Sequence, residues 1–299
     1  MQTKVIERGV LSLALQKAQD YKMLVKFRLT MTVVFSSVMA FLIALSGPVN
    51  WLAIFILATG GFLVTGAANA LNQVLEKDFD KLMKRTADRP LAAGRMSTSE
   101  AVMAAGFMSL FGITLLALFN PWAAFFGMLA LVTYAFLYTP MKRLSPSAVA
   151  VGAVPGALPT LIGCVAAQGE LTFLGLSLFA LQFLWQFPHF WSIGWLGFED
   201  YANAGYKLMP TNRKGERDSR IGLQAFLYAL FLVPVSIIPY MLGVSGWVSA
   251  VVVVILSLGY AYFGWSFYRA GSRKSALQLM FFSFAYIPVS LVALFADKF

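Results

Sequence analysis

Three oxygen-bearing side chains recur every fourth residue in this chain: Asn72, Glu76 and Asp80. On an α-helix, this spacing places all three on one face. The row begins where an apolar segment long enough to span a bilayer ends, and acids at that depth are costly unless they serve a function. Carboxylates and substrate phosphates are the ligands that Mg²⁺ prefers. The row therefore predicts a magnesium site at a membrane surface.

Cations suited to phosphate follow this row. Arg85 and Arg89 are again four residues apart, and Lys142 and Arg143 follow the fourth apolar segment. Arginine forks match the geometry of phosphate oxygens, so a metal beside these cations predicts chemistry on a lipid diphosphate. The alternative for each cation is a topology signal, because lysine and arginine anchor membrane proteins on their cytoplasmic side.

A second polar region covers residues 185–210. Glu199 and Asn203 are four apart, an oxygen pair that can contribute, with the neighbouring Asp200, to a second metal site. His189 is the only histidine and lies one residue after a proline inside an apolar segment. It is either a hydrogen-bonded core residue or a functional group that ligates haem iron or shuttles a proton.

Composition places the chain among integral membrane proteins. Of its 299 residues, 59% are hydrophobic and only 12% are charged, which leaves too little polar surface for a soluble domain of this size. The single cysteine, Cys164, excludes an internal disulfide and a cysteine-based zinc site. The single histidine excludes a multi-histidine metal centre.

The apolar pattern predicts an all-α polytopic membrane protein with nine transmembrane helices, because a spanning helix needs about 20 mostly apolar residues. The nine segments are 29–46, 51–72, 99–118, 121–139, 146–167, 171–195, 221–243, 246–268 and 276–296. Every Lys and Arg except Lys298 lies in the N-terminal arm or in a loop after the second, fourth, sixth or eighth segment. Because such residues in short loops stay cytoplasmic, we expect the N-terminus inside and the C-terminus outside.

Residues 1–28 are predicted to form a cytoplasmic amphipathic arm on the membrane, and residues 29–299 a single transmembrane domain. Two long polar loops, at about 73–98 and 196–220, face the cytoplasm and hold equivalent positions if the first eight segments form two halves of four. We expect their acidic helix ends to converge on one cavity. The net charge of +10 follows from topology. Because the cations are spread over separate loops, nucleic-acid binding is not expected.

These motifs carry a family resemblance that covers essentially the whole chain. The row 72–80, followed by Arg-Thr-x-x-Arg-Pro-Leu at 85–91, resembles the UbiA superfamily of intramembrane prenyltransferases. The segment Trp-Gln-x-Pro-His at 185–189 is similar to the branch of that superfamily that prenylates haem. Further matching stretches begin at positions 138, 152 and 200.

The resemblance implies a UbiA-type helical bundle and a specific reaction. Farnesyl diphosphate loses diphosphate as C1 of the farnesyl chain bonds to the 2-vinyl group of haem B, and water completes the product, haem O. The resemblance assigns Mg²⁺ and diphosphate to Asn72, Glu76 and Asp80, and diphosphate oxygens to Arg85, Arg89, Lys142 and Arg143. It makes haem B a substrate rather than a cofactor. It implies substrate contacts from His189, Tyr138, Asp200 and Tyr201.

The resemblance also implies a setting. We expect a bacterial inner membrane with the active site facing the cytoplasm. The expected partners are farnesyl diphosphate, haem B and membrane lipid, with haem A synthase and terminal-oxidase assembly factors as candidate protein partners downstream.

The second motif departs from the family pattern. Many superfamily members carry two aspartates four apart there, whereas Asp200 has Ala204 at that offset. The number of metal ions is therefore open, and Glu199 and Asn203 are the substitute ligands. Two other functions fit the same residues: a UbiA-type enzyme acting on an aromatic quinone precursor, and a transporter of an anionic amphiphile, which would move its ligand unchanged.

Overall fold

The computed structural model describes residues 2–212, 214–218 and 220–299, with side chains from residue 12 onward. Its helices are α1 Gln2–Leu24, α2 Phe27–Ala44, α3 Trp51–Asp80, α4 Thr98–Ala117, α5 Pro121–Val132, α6 Thr139–Met141, α7 Ala148–Gln168, α8 Phe173–Leu196, α9 Phe198–Asn203, α10 Arg220–Met241, α11 Trp247–Ala270 and α12 Arg273–Ala296. A π-helical turn, Thr133–Tyr138, joins α5 to α6. These ranges contain isolated β-bridges but no strand, which confirms the predicted all-α class.

Eight helical segments in the described part of the chain are long and apolar enough to cross a membrane. The prediction of nine spans is therefore confirmed only as far as eight. The sixth predicted segment, 171–195, does form the 24-residue helix α8. Helix α8 is not one of the eight apolar helices, because Gln182, Gln186 and His189 lower its mean hydropathy.

The long helix α3 positions the acidic row. Asn50 caps its start, since the side-chain oxygen accepts hydrogen bonds from the backbone N–H groups of Leu52 and Ala53. The helix has 30 residues, which at 1.5 Å per residue makes it about 45 Å long, against a hydrocarbon core of about 30 Å. It therefore continues well past the predicted boundary at residue 72, and its last turns carry Asn72, Glu76 and Asp80 as one helical row.

Helices α2 and α7 lie between two apolar cores. One core joins them to α8, α10, α11 and α12, and the other joins them to α3, α4 and α5. Close packing of α2 on α7 depends on small residues, as is usual between membrane helices. The tightest point is Gly163, whose position leaves no room for a side chain against the backbone of α2.

Gly163→Ala is expected to destabilise the fold. The new Cβ would lie 2.1 Å from the carbonyl oxygen of Ser37 and 2.8 Å from the backbone nitrogen of Phe41, so the two helices must separate. Overpacking of this kind typically costs about 1–3 kcal/mol, and here the neighbour is backbone that cannot rotate away. Thermal unfolding in detergent measures the loss. Gly106→Ala is the matched control, because nothing lies within 4 Å of a Cβ there; equal melting points for the two variants would contradict this packing.

Several cation-rich segments meet on one face of the bundle. Arm helix α1 is tied to the chain around α4 by Lys17 with Glu100 and by Asp20 with Arg95, at 2.7 and 2.9 Å. The loop after α9 is tied to the end of α6, where the backbone N–H of Lys207 donates to the carbonyl of Lys142 at 2.7 Å. The C-terminus is held at the C-terminal end of α2, since the Lys298 amine donates to the carbonyls of Leu42 and Leu45.

Candidate active site

The end of α3 brings the three predicted metal ligands together in the interior. Asn72, Glu76 and Asp80 are only 0%, 5% and 1% exposed. Each contacts a cation from a different part of the chain. The pairs are Asn72 with Lys26, Glu76 with Lys142 and Asp80 with Arg89. The structure therefore surrounds the acidic row with positive charge.

Asp80 is held by the turns that follow α3. One guanidinium nitrogen of Arg89 donates to both Asp80 carboxylate oxygens, each at 2.8 Å. The Thr86 hydroxyl donates to the Asp80 backbone carbonyl at 2.9 Å, which folds this segment back over the helix end. The Asp80 side chain of this ion pair is almost fully buried. The arginine therefore offsets the cost of placing the carboxylate in the interior.

Glu76 and Asn72 are held by the end of the fourth span. The Lys142 amine donates to a Glu76 oxygen at 2.9 Å and lies 4.5 Å from the centre of the Tyr138 ring. The Asn72 amide donates to the Thr139 hydroxyl at 3.0 Å. Tyr138 is the last residue of the π-helical turn, and Thr139 and Lys142 follow it. Such turns often occur at functional sites. Tyr138 therefore lies beside the cation that contacts Glu76.

Lys26 is the site residue that sequence reasoning missed. Its amine donates to the Asn72 oxygen at 2.7 Å and to the Tyr134 hydroxyl at 3.4 Å. It lies in the break between α1 and α2 with φ of 48°, a left-handed conformation that a lysine rarely adopts. Burial, together with the charges of Arg89 and Lys142, lowers the pKa of the Lys26 amine well below its usual value. An anionic ligand beside this amine would favour its protonated, cationic form.

Two further amides on α3 hold that break in place. The Gln73 amide donates to the carbonyls of Met23 and Leu24, both at 2.9 Å. The Asn69 amide donates to the carbonyl of Val25 at 3.3 Å. These buried amides satisfy the carbonyls at the end of α1, where a helix has no partners of its own. The pair Asn69 and Gln73, four apart on the same helix, therefore fixes the position of Lys26 through the backbone carbonyls that precede it.

The charge balance of this site favours an anion. Three cations, Lys26, Arg89 and Lys142, face two carboxylates and one amide oxygen. No group of three or more Asp, Glu, His or Cys side chains is placed to hold a metal in the part of the chain that the structure describes. The donors present are hard oxygens that fit Mg²⁺ only when the ligand supplies further oxygens, as a diphosphate does.

The second polar loop closes one side of the site through Tyr206. This side chain is 6% exposed and packs against Phe79, with ring centres 6.1 Å apart. Its buried hydroxyl has no hydrogen-bond partner among the described residues. Burial and the negative charges of Glu76 and Asp80 raise the pKa of the Tyr206 phenol, so it stays protonated and remains available as a donor.

The other predicted residues of that loop lie elsewhere. Glu199 is exposed and pairs with Arg217 at 3.2 Å, and Asn203 is also exposed. Asp200 and Tyr201 line a cavity of about 230 Å³, which also contains Arg85. The guanidinium of Arg85 donates to the Tyr201 hydroxyl at 3.2 Å, whereas that of Arg143 lies 4.4 Å from the centre of the Phe79 ring.

His189 lies in the seam between α8 and α12. Its ring stacks on Trp185 with centres 4.8 Å apart, and its Nδ1 is 2.7 Å from the Ser283 hydroxyl. The Trp185 indole N–H donates to the Ser283 carbonyl at 2.9 Å. The histidine is therefore held in a fixed orientation by both helices.

Known proteins match this chain over nearly its whole length. The chain is 43% identical over 283 residues to the protoheme IX farnesyltransferase of Cytophaga hutchinsonii, covering 94% of this chain and 98% of that protein. It is 40% identical to the protein of the same name from Flavobacterium johnsoniae, covering 94% of each.

Solved structures share the fold at lower identity. A structure of digeranylgeranylglyceryl phosphate synthase matches with a TM-score of 0.78 at 17% identity, covering 94% of this chain and 98% of that one. A UbiA homologue from Archaeoglobus fulgidus bound to GPP and Mg²⁺ matches with a TM-score of 0.67 at 13% identity, covering 92% and 99%. The profile of the UbiA prenyltransferase family matches residues 33–285, and the chain belongs to this family.

Proposed function

We propose that this prenyltransferase moves the farnesyl group of farnesyl diphosphate onto the 2-vinyl group of haem B. The relatives that match nearly the whole chain are protoheme IX farnesyltransferases. The observation that carries the proposal is the buried oxygen row of α3, in which each member contacts one cation. This arrangement suits a ligand that brings its own negative charge and a metal ion together, and a prenyl diphosphate does both.

In this proposal the diphosphate lies beside the acidic row. Asn72, Glu76 and Asp80 would hold Mg²⁺, which, when bound, neutralises charge on the diphosphate oxygens. Lys26, Arg89 and Lys142 exchange their present acceptors for diphosphate oxygens, and the Tyr206 hydroxyl donates to the same group. Arg143, whose guanidinium lies 4.4 Å from the centre of the Phe79 ring, is proposed to add to this field.

The chemistry follows from that field. The bond between farnesyl C1 and the diphosphate oxygen breaks, and the electron pair leaves with the diphosphate. The vinyl group supplies the electrons for the new carbon–carbon bond, water adds at the carbon left electron-deficient, and one proton is released. A vinyl group is a weak nucleophile, so the enzyme accelerates the step mainly by stabilising charge on the leaving group.

The substrate assignment is tested with isolated membranes. Haem B and farnesyl diphosphate are incubated with membranes from cells that do or do not express the protein, and the haems are separated by chromatography. We expect a more hydrophobic haem and release of diphosphate only with the protein. Diphosphate release with an aromatic quinone precursor but not with haem would assign the alternative prenyltransferase activity. Ligand uptake without diphosphate release would indicate a transporter.

Removal of divalent metal is expected to abolish turnover without unfolding the protein. Chelation takes away the ion that neutralises the diphosphate, while Glu76 and Asp80 keep their ion pairs with Lys142 and Arg89. Farnesyl transfer should therefore fall to background and return on addition of Mg²⁺. Circular dichroism should show unchanged helix content throughout. Full activity in the chelator would contradict a metal at this row.

The proposal also fixes the orientation of the chain. In this proposal α8 crosses the membrane in addition to the eight apolar helices, which makes nine spans in all. The N-terminus and the acidic row lie on the cytoplasmic side of a bacterial inner membrane, and the C-terminus lies outside. The support is the clustering of Lys and Arg in the arm and the loops that meet at the site. The orientation is measured with single cysteines introduced at Lys84 and at Phe299, both of which are exposed. Each cysteine is labelled from either side of sealed vesicles.

The remaining predicted residues receive separate roles. His189, Asp200 and Tyr201 are proposed to contact the haem, and Tyr138, which packs under Lys142, contacts substrate at the row. Glu199 and Asn203 are exposed to solvent, so a second metal site built on them is not part of the proposal.

A further inference from the structure

The seam between α8 and α12 carries a row of side chains that the diphosphate site does not use. On α8, His189, Ile193 and Leu196 follow one another at helical spacing and share a face. On α12, Met280 and Phe284 are likewise one turn apart. Ile193, Leu196 and Met280 line the cavity of about 230 Å³, and His189 and Phe284 pack together one turn further along, with ring centres 5.3 Å apart. The cavity and the histidine therefore belong to one seam.

At the deeper end of this seam, Ser283 fixes the tautomer of His189. The Ser283 hydroxyl donates its only proton to the carbonyl of Met280, in the preceding turn of its own helix. Its contact with His189 Nδ1 must then be one in which the histidine donates. A neutral imidazole with its proton on Nδ1 has a free lone pair on Nε2. Nε2 has no hydrogen-bond partner among the described residues, so it is available to a ligand.

At the cytoplasmic end, Arg85 and Tyr201 form a carboxylate-binding pair. The Tyr201 hydroxyl accepts a hydrogen bond from one arm of the Arg85 fork, so its own proton and the other guanidinium N–H groups remain free to donate. A carboxylate prefers such convergent donors, and arginine recognises it in a bidentate manner. Asp200 lines the same cavity and makes no ion pair among the described contacts.

The two ends suit a ligand that is apolar in the middle. Between them the walls are Ile193, Leu196 and Met280. Next to His189, Phe284 is 51% exposed on the outer surface of the bundle, so the seam is open to the bilayer. An iron porphyrin matches this layout, because it offers a metal for a nitrogen ligand, a flat apolar ring and two carboxylates on one edge.

We infer that the α8–α12 seam is the haem site, with the iron on His189 Nε2 and the carboxylates on Arg85 and Tyr201. The inference rests on the proposed function and deepens it, since it separates Arg85 from the diphosphate cations. Arg85 and Tyr201 touch the substrate in this arrangement, whereas Ser283 is a positioning residue that acts through His189. Tyr201 also packs near Tyr206, with ring centres 6.2 Å apart, which places the seam next to the diphosphate site.

The carboxylate end is tested with haem and its dimethyl ester, titrated into the purified full-length protein in detergent and followed by visible absorption. Wild type should bind haem about tenfold or more tightly than the ester, because each charge-assisted hydrogen bond to a carboxylate is lost on esterification. Arg85→Met should remove this preference by weakening haem binding alone. Lys81→Met is the matched control, since Lys81 is an exposed cation of the same segment that contacts only Asp78, and it should keep the wild-type preference.

The iron end is tested with Ser283→Ala. Loss of the hydrogen bond that orients a metal-bound histidine typically costs about 10- to 100-fold in metal affinity. The variant should show a haem spectrum shifted toward that of His189→Ala and a weaker affinity, while the KM for farnesyl diphosphate stays unchanged. Ser283→Thr retains a hydroxyl and should restore the wild-type spectrum. An unchanged KM for the diphosphate also shows that the variant is folded.

Both results are required. A preference for haem over the ester that survives in Arg85→Met overturns the inference, and so does a Ser283→Ala variant with wild-type spectrum and affinity. Either outcome leaves the proposed function intact provided that wild-type membranes still form the hydrophobic haem product. Failure to form that product overturns the proposed function itself and is measured separately.

Discussion

Glu76→Gln is expected to lower farnesyl transfer by about 10²- to 10³-fold or more, the range typical for loss of one major electrostatic contributor. Glutamine has nearly the same shape, so the change removes a charge rather than volume. Glu76 is 5% exposed and accepts a hydrogen bond from Lys142. Without the carboxylate, the row loses one of its two charged metal ligands, and turnover depends on that metal in our proposal. Asp80→Asn should act in the same direction, because it removes the other.

The control for this prediction lies on the same helix. Asp78 is exposed, pairs with Lys81 at 3.0 Å, and lies off the face that carries the row. Asp78→Asn removes the same type of charge two residues away and should leave turnover close to wild type. Activity is measured as haem product per amount of folded protein, judged by size-exclusion profile in detergent. Near-normal turnover in Glu76→Gln would separate this helix face from metal binding.

The row itself was predictable from the sequence because only local geometry is involved. Residues four apart on one helix share a face wherever the helix lies, so the sequence sufficed to group Asn72, Glu76 and Asp80. The same rule misled for Glu199 and Asn203. Both residues lie in the short helix α9, and both side chains are exposed there instead of facing the row.

Arg85 and Arg89 show a second limit. They are four apart, but the chain between them forms turns instead of a helix, with hydrogen bonds such as Arg89 N–H to the Thr86 carbonyl. Their side chains therefore diverge, Arg89 to Asp80 and Arg85 to Tyr201. Spacing alone could not reveal this, since it depends on how the segment folds back over the end of α3.

Lys26 was out of reach for a related reason. It is distant from the row in sequence, and its approach to Asn72 depends on the angle between α1 and α2. A cation at the edge of the first predicted span carries the same sequence signal as an ordinary topology determinant.

The α8 boundary was predictable in position, but its glutamines and histidine are polar groups that only a packed bundle can satisfy. The Gln186 amide, for example, donates to the Ala153 carbonyl at 2.9 Å.

Lys26→Met is expected to lower kcat/KM for farnesyl diphosphate by about 10²- to 10³-fold, an effect comparable with loss of an acid from the row. Methionine keeps an unbranched side chain but has no charge. Lys26 is one of three cations that face the row, and its amine now donates to Asn72. The approach of a diphosphate lets this amine transfer its hydrogen bond to the ligand, where it stabilises the departing charge. Arg28→Met is the matched control, because Arg28 is exposed two residues further on.

A second variant separates the charge of Lys26 from its backbone conformation. Lysine is strained at φ of 48°, whereas glycine adopts this region freely. Lys26→Gly should therefore keep or raise the melting temperature, since Asn69 and Gln73 still bind the carbonyls of Val25 and Met23. Its activity should nevertheless fall as far as that of Lys26→Met. A glycine variant with wild-type kcat/KM would show that the break between α1 and α2 needs a left-handed residue there but no cation, and the anion-binding role of Lys26 would be wrong.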